Sequence, residues 1–405
     1  MRNVPKLRFK EFNDEWEEIK LKEILEFKNG INASKEQYGK GIKFINVLDI
    51  LNNNFITYDN IIGKVDIDEK TLEKYSVNYG DILFQRSSET REEVGMANVY
   101  LDDKTATFGG FVIRGKKIAN YVPTFINKVL KTDLARNEIT SKSGGSTRYN
   151  VGQDILNEVQ IIIPNLQEQQ KIADFLSNVD KKISITEEKL NLFNEYKKGI
   201  MQKIFSQELR FKDENENDYP EWEEKKLGDT LIKNKEKNKK NKYNLVQSIS
   251  NKYGFVNQDQ YFEDRRVASK DLKNYYVAKN KLFAYNPSRI NVGSLAYKKD
   301  DSISVISPLY VSFYAKKENI IDIFLLNWFF SLPFIRQMSC SFEGSVRNNL
   351  SYETLSNFII DVPCLEEQQK IADFLSSIDT KIEKLSDELE NLKEFKKGLL
   401  QQMFI

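Results

Sequence analysis

Apolar residues recur four and then three positions apart in two stretches of this chain. From Ile172 the steps land on Leu176, Val179, Ile183, Thr186, Leu190, Phe193, Lys197, Ile200 and Ile204. From Ile371 they land on Leu375, Ile378, Ile382, Leu385, Leu389, Leu392, Lys396, Leu399 and Met403. A seam held over four heptads or more is the signature of a coiled coil. Only Thr186 and the equivalent pair Lys197 and Lys396 interrupt it, and Pro164 and Pro363 punctuate the helix starts. About forty residues at ~1.5 Å rise make each helix a rod of roughly 60 Å. A seam this narrow on two equivalent helices calls for one partner, and each helix is the other's. An antiparallel pair is expected, because it places the intervening domains at opposite ends.

The two helices are copies. Pro164–Ile183 reads PNLQEQQKIADFLSNVDKKI and Pro363–Ile382 reads PCLEEQQKIADFLSSIDTKI, with 15 of 20 positions identical at a spacing of 199. That period is far beyond a solenoid repeat and implies duplication of a whole domain pair. Leu7-Arg-Phe-Lys10 recurs as Leu209-Arg-Phe-Lys212, and Trp16-Glu-Glu18 recurs as Trp222-Glu-Glu224. The first copy is continuous from Pro164 to about Leu227. The second is split between the two ends of the chain, which should therefore meet in space. The expected layout is an N-terminal segment 1–21 completing the distal repeat, a first domain 22–163, a central repeat 164–227, a second domain 228–362 and a distal helix 363–405.

Short Ile-, Val-, Tyr- and Phe-rich runs between polar turns predict strands in both domains. Examples are Lys43–Leu48, Gly80–Phe84, Phe111–Ile113, Lys281–Tyr285 and Tyr310–Tyr314. Pro123–Leu134 and Ile320–Phe330 read as one helix each. The fold class is therefore mixed α/β (α+β), two globular domains separated by two long helices. The domains share a skeleton with different contents. Gly145-Ser146-x-Arg148-x-Asn150 matches Gly344-Ser345-x-Arg347-x-Asn349, and Phe84-Gln-Arg86 resembles Phe283-Ala-Tyr285.

Composition narrows the chemistry. The chain has no histidine and two cysteines, Cys340 and Cys364. Imidazole bases, His-containing triads, structural zinc sites and a disulfide framework are all excluded. The apolar stretch Ile320–Phe330 is broken by Asp322 and Asn327, so no membrane span is expected. The start lacks an apolar signal core, and a cytoplasmic setting fits. The net charge of +1 hides an uneven distribution: residues 20–163 sum to +1, residues 225–362 to +9, and the remainder to −9. The basic segment points to a polyanion partner.

Together "EQQKIADFL" after a proline in both copies, "KLRF…EWEE", "GDIL" at Gly80–Leu83 and "VISPLYV" at Val305–Val311 resemble the specificity subunit of type I restriction-modification enzymes. The resemblance spans the chain. It implies two target-recognition domains, each reading half of a split site in double-stranded DNA, with the helices setting the gap. It also implies a non-catalytic subunit that joins two methyltransferase subunits and, in the full complex, two restriction subunits. S-adenosylmethionine, ATP and Mg would be bound by those partners, and this chain would hold no cofactor.

Base reading needs forked donors and acceptors on a scaffold. The candidates are Gln85, Arg86, Arg148 and Asn150 in the first domain, and Asn286, Arg289, Arg347 and Asn349 in the second. The shared Gly-Ser-x-Arg-x-Asn loop, with Ser146 and Ser345, could equally grip phosphate. Lys233–Lys242 reads KNKEKNKKNK; Lys239 and Lys240 belong either to an arm on the DNA backbone or to a solvated loop. Two equivalent helix starts make two equivalent surfaces for identical partners. Gln169, Gln170, Lys171 and Asp174, with Gln368, Gln369, Lys370 and Asp373, are the docking candidates, or they tie down the helix starts instead. A fused methyltransferase is the enzymatic rival, but Asn286-Pro-Ser-Arg289 lacks the second proline and the aromatic of the adenine methyltransferase motif. No GxxxxGK[ST] loop is present. The non-enzymatic rival is a coiled-coil adaptor without DNA specificity.

Overall fold

The computed structural model describes residues 4–145, 147–251, 253–258, 271–342 and 349–404. Its chain divides into two compact units, Met1–Glu187 with Glu388–Ile405, and Glu188–Asp387. Two long helices dominate: the central helix, Leu166–Phe205, and the distal helix, Leu365–Met403. No helix among the described residues is long and apolar enough to cross a membrane.

In the first unit the start of the central helix packs Ile172, Ala173 and Leu176 into one core with Leu399, Met403 and Phe404 from the end of the distal helix. In the second unit Ile371, Leu375 and Ile378 share a core with Met201, Ile204 and Phe205. Start against end in each unit is antiparallel packing, and every described position on the predicted seam is buried or half-buried. The lysines that break the seam have local partners. Lys396 bonds Asp180 (2.7 Å) in the first unit, and Lys197 bonds Asp379 (2.5 Å) in the second. Burial alone would push the Asp180 carboxyl up, but hydrogen bonds from Lys128 and Lys396 outweigh it and hold it below its ordinary range. Thr186 satisfies its buried hydroxyl by donating to Lys182 O (2.9 Å).

The split copy is closed across the chain ends. Leu209 N–H donates to Lys203 O (2.9 Å) within the continuous copy, and Leu7 N–H donates to Gln402 O (2.8 Å) at the matching place. Beyond that point the two segments follow one plan. Arg8 forks onto Glu168 (2.7 and 2.7 Å), and Arg210 onto Glu367 (3.2 and 2.8 Å). Phe9 meets Phe175 edge-on, and Phe211 meets Phe374. Strand Glu17–Lys20 then pairs with Gln160–Ile163, and Glu223–Lys226 pairs with Ile359–Val362.

Each unit builds its domain on an antiparallel four-stranded sheet of the same order. In the first it runs Leu25–Asn29, Val112–Lys117, Ile82–Gln85, Ala97–Val99; in the second, Leu231–Lys233, Val311–Ala315, Phe283–Tyr285, Leu295–Tyr297. A second sheet in each contains a parallel pair, Phe44–Ile45 with Thr107–Phe108 and Val246–Gln247 with Val305–Ile306. These registers correct the expected alignment of the two domains. Phe84 pairs with Ala97 and Ile113, as Tyr285 pairs with Leu295 and Val311. Phe84 therefore matches Tyr285, two residues beyond Phe283, and Gln85 matches Asn286. A slip of two preserves which face a side chain points to, so the apolar pattern alone could not detect it.

Some elements also end differently from expectation. The strand predicted over Lys43–Leu48 stops at Ile45, because Asp49 accepts the Asn46 N–H (2.7 Å) and starts helix Val47–Leu51. The helix expected over Pro123–Leu134 becomes Pro123–Val129 and Asp133–Lys142, with Thr132 capping the second. Ile320–Phe330 likewise yields Asp322–Trp328, followed by Leu332–Phe342.

Candidate nucleic-acid interface

The four-stranded sheet of each unit has two distinct ends. At one end, in the first unit, Val122 N–H donates to Gln169 Oε1 (3.1 Å) and Tyr121 donates to Gly80 O (2.7 Å), so this end meets the start of the central helix. The second unit repeats it: Ile321 N–H donates to Gln368 Oε1 (2.8 Å). The opposite end carries the candidate readers.

In the first unit strand Ile82–Gln85 leads into Arg86, and Ser87–Ser88 pairs with Tyr149–Asn150 of the shared loop. Ser87 Oγ donates to Asn150 Oδ1 (2.5 Å), and Val151 N–H donates to Arg86 O (3.0 Å). Gly145 has a φ of +121°, and a Cβ there would sit 1.9 Å from Arg148 O, so only glycine fits this turn. Arg86, Arg148 and Asn150 are exposed and lie on adjoining segments. Gln85 is not on that surface. It is buried, its Nε2 donates to Ser87 O (3.0 Å) and its Oε1 has no partner among the described residues. It supports the turn from beneath.

The second unit brings the matching segments together. Ser288 Oγ lies 3.5 Å from Asn349 Oδ1, and Leu350 N–H donates to Pro287 O (3.0 Å). Tyr285 anchors the loop by donating to Leu350 O (3.0 Å), and burial pushes its phenol up. Asn286 is half-exposed with its Oδ1 accepting Ser288 N–H (3.1 Å), while Arg289 and Asn349 are exposed. Ser146, Ser345 and Arg347 lie outside the described residues. The lysine-rich stretch is tied down rather than free as an arm. Asn238 is buried, its Nδ2 donates to Tyr243 O (2.8 Å) and its N–H to Tyr275 O (3.0 Å). Lys239 and Lys240 project from that loop and are exposed.

At the helix starts, one glutamine of each pair serves the fold. Gln169 and Gln368 are buried; each donates to its own proline carbonyl, Pro164 (2.8 Å) or Pro363 (2.9 Å), besides accepting the contacts above. This removes them as docking residues. The others are at or near the surface. Gln170 donates to Asp174 (2.7 Å) and Gln369 to Asp373 (2.8 Å), while Lys171 pairs with Glu11 and Lys370 donates to Lys212 O (2.7 Å). The Arg8–Glu168 and Arg210–Glu367 clamps are the residues that sequence reasoning missed. The signal was present, because the Leu-Arg-Phe-Lys and Glu-Gln-Gln motifs recur as a pair. Among the described residues no group of three His, Cys, Asp or Glu could hold a metal ion.

Two different domains on a duplicated helical frame are the layout expected of a DNA-specificity component. The type I restriction modification DNA specificity domain matches twice, at residues 13–194 and 219–394, and the chain belongs to that family. It is a specificity subunit of a type I restriction-modification system, not a bare coiled-coil adaptor. It is 24% identical over 413 residues to the type I restriction enzyme MjaIX specificity subunit of Methanocaldococcus jannaschii, covering 96% of this chain and 92% of the relative. The MjaVIII specificity subunit of the same organism is 28% identical over 285 residues, 66% of each chain. In fold it is similar to the type I restriction-modification S subunit from M. genitalium, with a TM-score of 0.58 at 16% identity over 99% of both chains. A structure described under complex assembly and conformational transition of the type I system gives a TM-score of 0.52 at 15% identity, over 96% of this chain and 97% of that one.

Proposed function

We propose that each unit reads one half of a bipartite DNA site and that the two long helices set the gap between the halves. The observation carrying this is the matched pair of sheet-end turns, built on one plan but with Gln85 and Arg86 in one unit where Asn286 and Pro287 stand in the other. Arg86, Arg148 and Asn150 read or grip the first half-site; Asn286, Arg289, Arg347 and Asn349 do so for the second. Arg forks onto guanine O6 and N7, and Asn onto adenine N6 and N7. Lys239 and Lys240 add salt-dependent attraction to phosphates. Unbroken helices of 40 and 39 residues make a stiff spacer on the scale of half-sites one turn apart, roughly 34–36 Å.

The chain carries no chemistry itself in this reading. Two methyltransferase subunits dock on the equivalent helix starts near Gln170, Lys171, Asp174, Gln369, Lys370 and Asp373. Two restriction subunits complete the nuclease, and S-adenosylmethionine, ATP and Mg belong to these partners. A relative's structure concerned with complex assembly supports a multi-subunit setting. The test is a mobility-shift assay of this chain with its methyltransferase partner on a panel of duplexes. Sequence preference is expected; uniform binding to every duplex would overturn the reading.

A further inference from the structure

We infer that Phe111 and Leu309 are a matched pair of apolar DNA contacts, one per unit, that enter the groove beside the reading loops and pack on base carbon. This rests on the proposed DNA-reading role and extends it to two residues.

The strand registers make the two positions equivalent. Thr107 pairs with Phe44 as Val305 pairs with Val246, and Ile113 pairs with Phe84 as Val311 pairs with Tyr285. Five residues separate the two paired positions in each unit, 108–112 and 306–310, so Phe111 falls on Leu309. Both sit third in a four-residue turn, closed by Val112 N–H to Gly109 O (2.9 Å) and by Tyr310 N–H to Ser307 O (3.1 Å). The turns are made differently, with Gly110 or Pro308 in second place, yet each carries a large apolar side chain in third place. Phe111 is 68% exposed and Leu309 80%.

One exposed apolar residue needs no explanation. Two at the same turn of divergent domains, both at the sheet end away from the helix starts, do. Their surroundings select the partner. Arg86 N–H donates to Phe111 O (2.9 Å) and its guanidinium reaches Gly110 O (3.4 Å), so a cation sits on the turn that carries the ring. In the second unit Tyr285, the partner of Val311, leads into the segment of Pro287 and exposed Arg289, and Leu350 N–H, next to exposed Asn349, donates to Pro287 O (3.0 Å). An apolar tip flanked by Arg and Asn suits a duplex, whose phosphates take the cations. Its grooves offer thymine methyls and base faces to the tip. A protein partner would want a broader apolar patch.

The test uses the full chain assembled with its methyltransferase, on a duplex carrying the motif found by methylation mapping. Phe111→Ala and Leu309→Ala are each expected to weaken binding roughly tenfold, at their own half-site only. Phe111→Leu should retain most affinity. Unfolding midpoints should not move, because both side chains are exposed. Replacing thymines one at a time by deoxyuridine reproduces the loss if the contact is a methyl. If a base step is opened instead, 2-aminopurine fluorescence rises with wild type and not with the alanine variant. Unchanged affinity for both variants overturns the inference while leaving DNA reading intact. Lost assembly with unchanged affinity per assembled complex assigns the tips to the protein partner and also overturns it. Absence of any sequence preference in the wild type overturns both readings.

Discussion

Glu168 and Glu367 are carboxylates that solvent does not reach, each held by an arginine from a repeated Leu-Arg-Phe-Lys motif. Removing one partner of such a pair strands the other charge. The two sites differ in their further bonds: Arg210 also donates to Tyr219 O (3.2 Å) and Pro220 O (2.6 Å). Trp222 Nε1 also donates to Glu367 (3.1 Å), whereas the Trp16 indole N–H has no partner among the described residues. Arg8→Ala should strand Glu168 and cost about 3 kcal/mol, at the low end of the buried-pair range because the guanidinium reaches some solvent. Urea unfolding of this variant checks the loss. Lys298 is fully buried, with Asp300 as its anion (2.8 Å). Burial alone would push Asp300 up, but the bond from Lys298 wins and its carboxyl is held down at about 2. A depressed carboxylate contributes stability above its ordinary pKa of 3.8 and loses it as pH falls through about 2. The stability gap between wild type and Asp300→Asn should thus be constant near neutrality and shrink below about pH 4. Among the readers, Arg148→Ala should weaken binding at the first half-site alone. Equal loss on unrelated duplexes would give Arg148 a phosphate role instead.

At the scale of elements, the long helices were the most legible part of the sequence. Their burial follows a rule with a fixed period, and the rule is met twice: Ile172 and Ile371, Leu176 and Leu375 are all buried. Even the interruptions were visible, although not their partners, since nothing local links Lys396 to Asp180. The domain loops were less legible. Gln85 reads like a base reader in sequence, yet sits beneath the turn, because its depth depends on a loop 60 residues away. Phe111 and Leu309 gave no signal until the strand registers aligned them. Leu385 faces the seam at the middle of the distal helix. Leu385→Pro should remove a helix hydrogen bond and cost about 3 kcal/mol or more. Loss of assembly with the methyltransferase is expected, as read by co-purification; intact assembly would mean that this part of the seam is dispensable.

At the scale of the whole molecule, a duplicated frame carries two different domains, and the duplication continues across the chain ends through Leu7 and Gln402. In the proposed reading, what is repeated holds and docks and what diverges reads, and a methylation map tests that division most directly. The chain is expressed with its methyltransferase partner and methylated adenines are mapped across a genome. A motif in two specified halves with a fixed unspecified gap is predicted. A continuous motif, or methylation without any motif, would contradict the account.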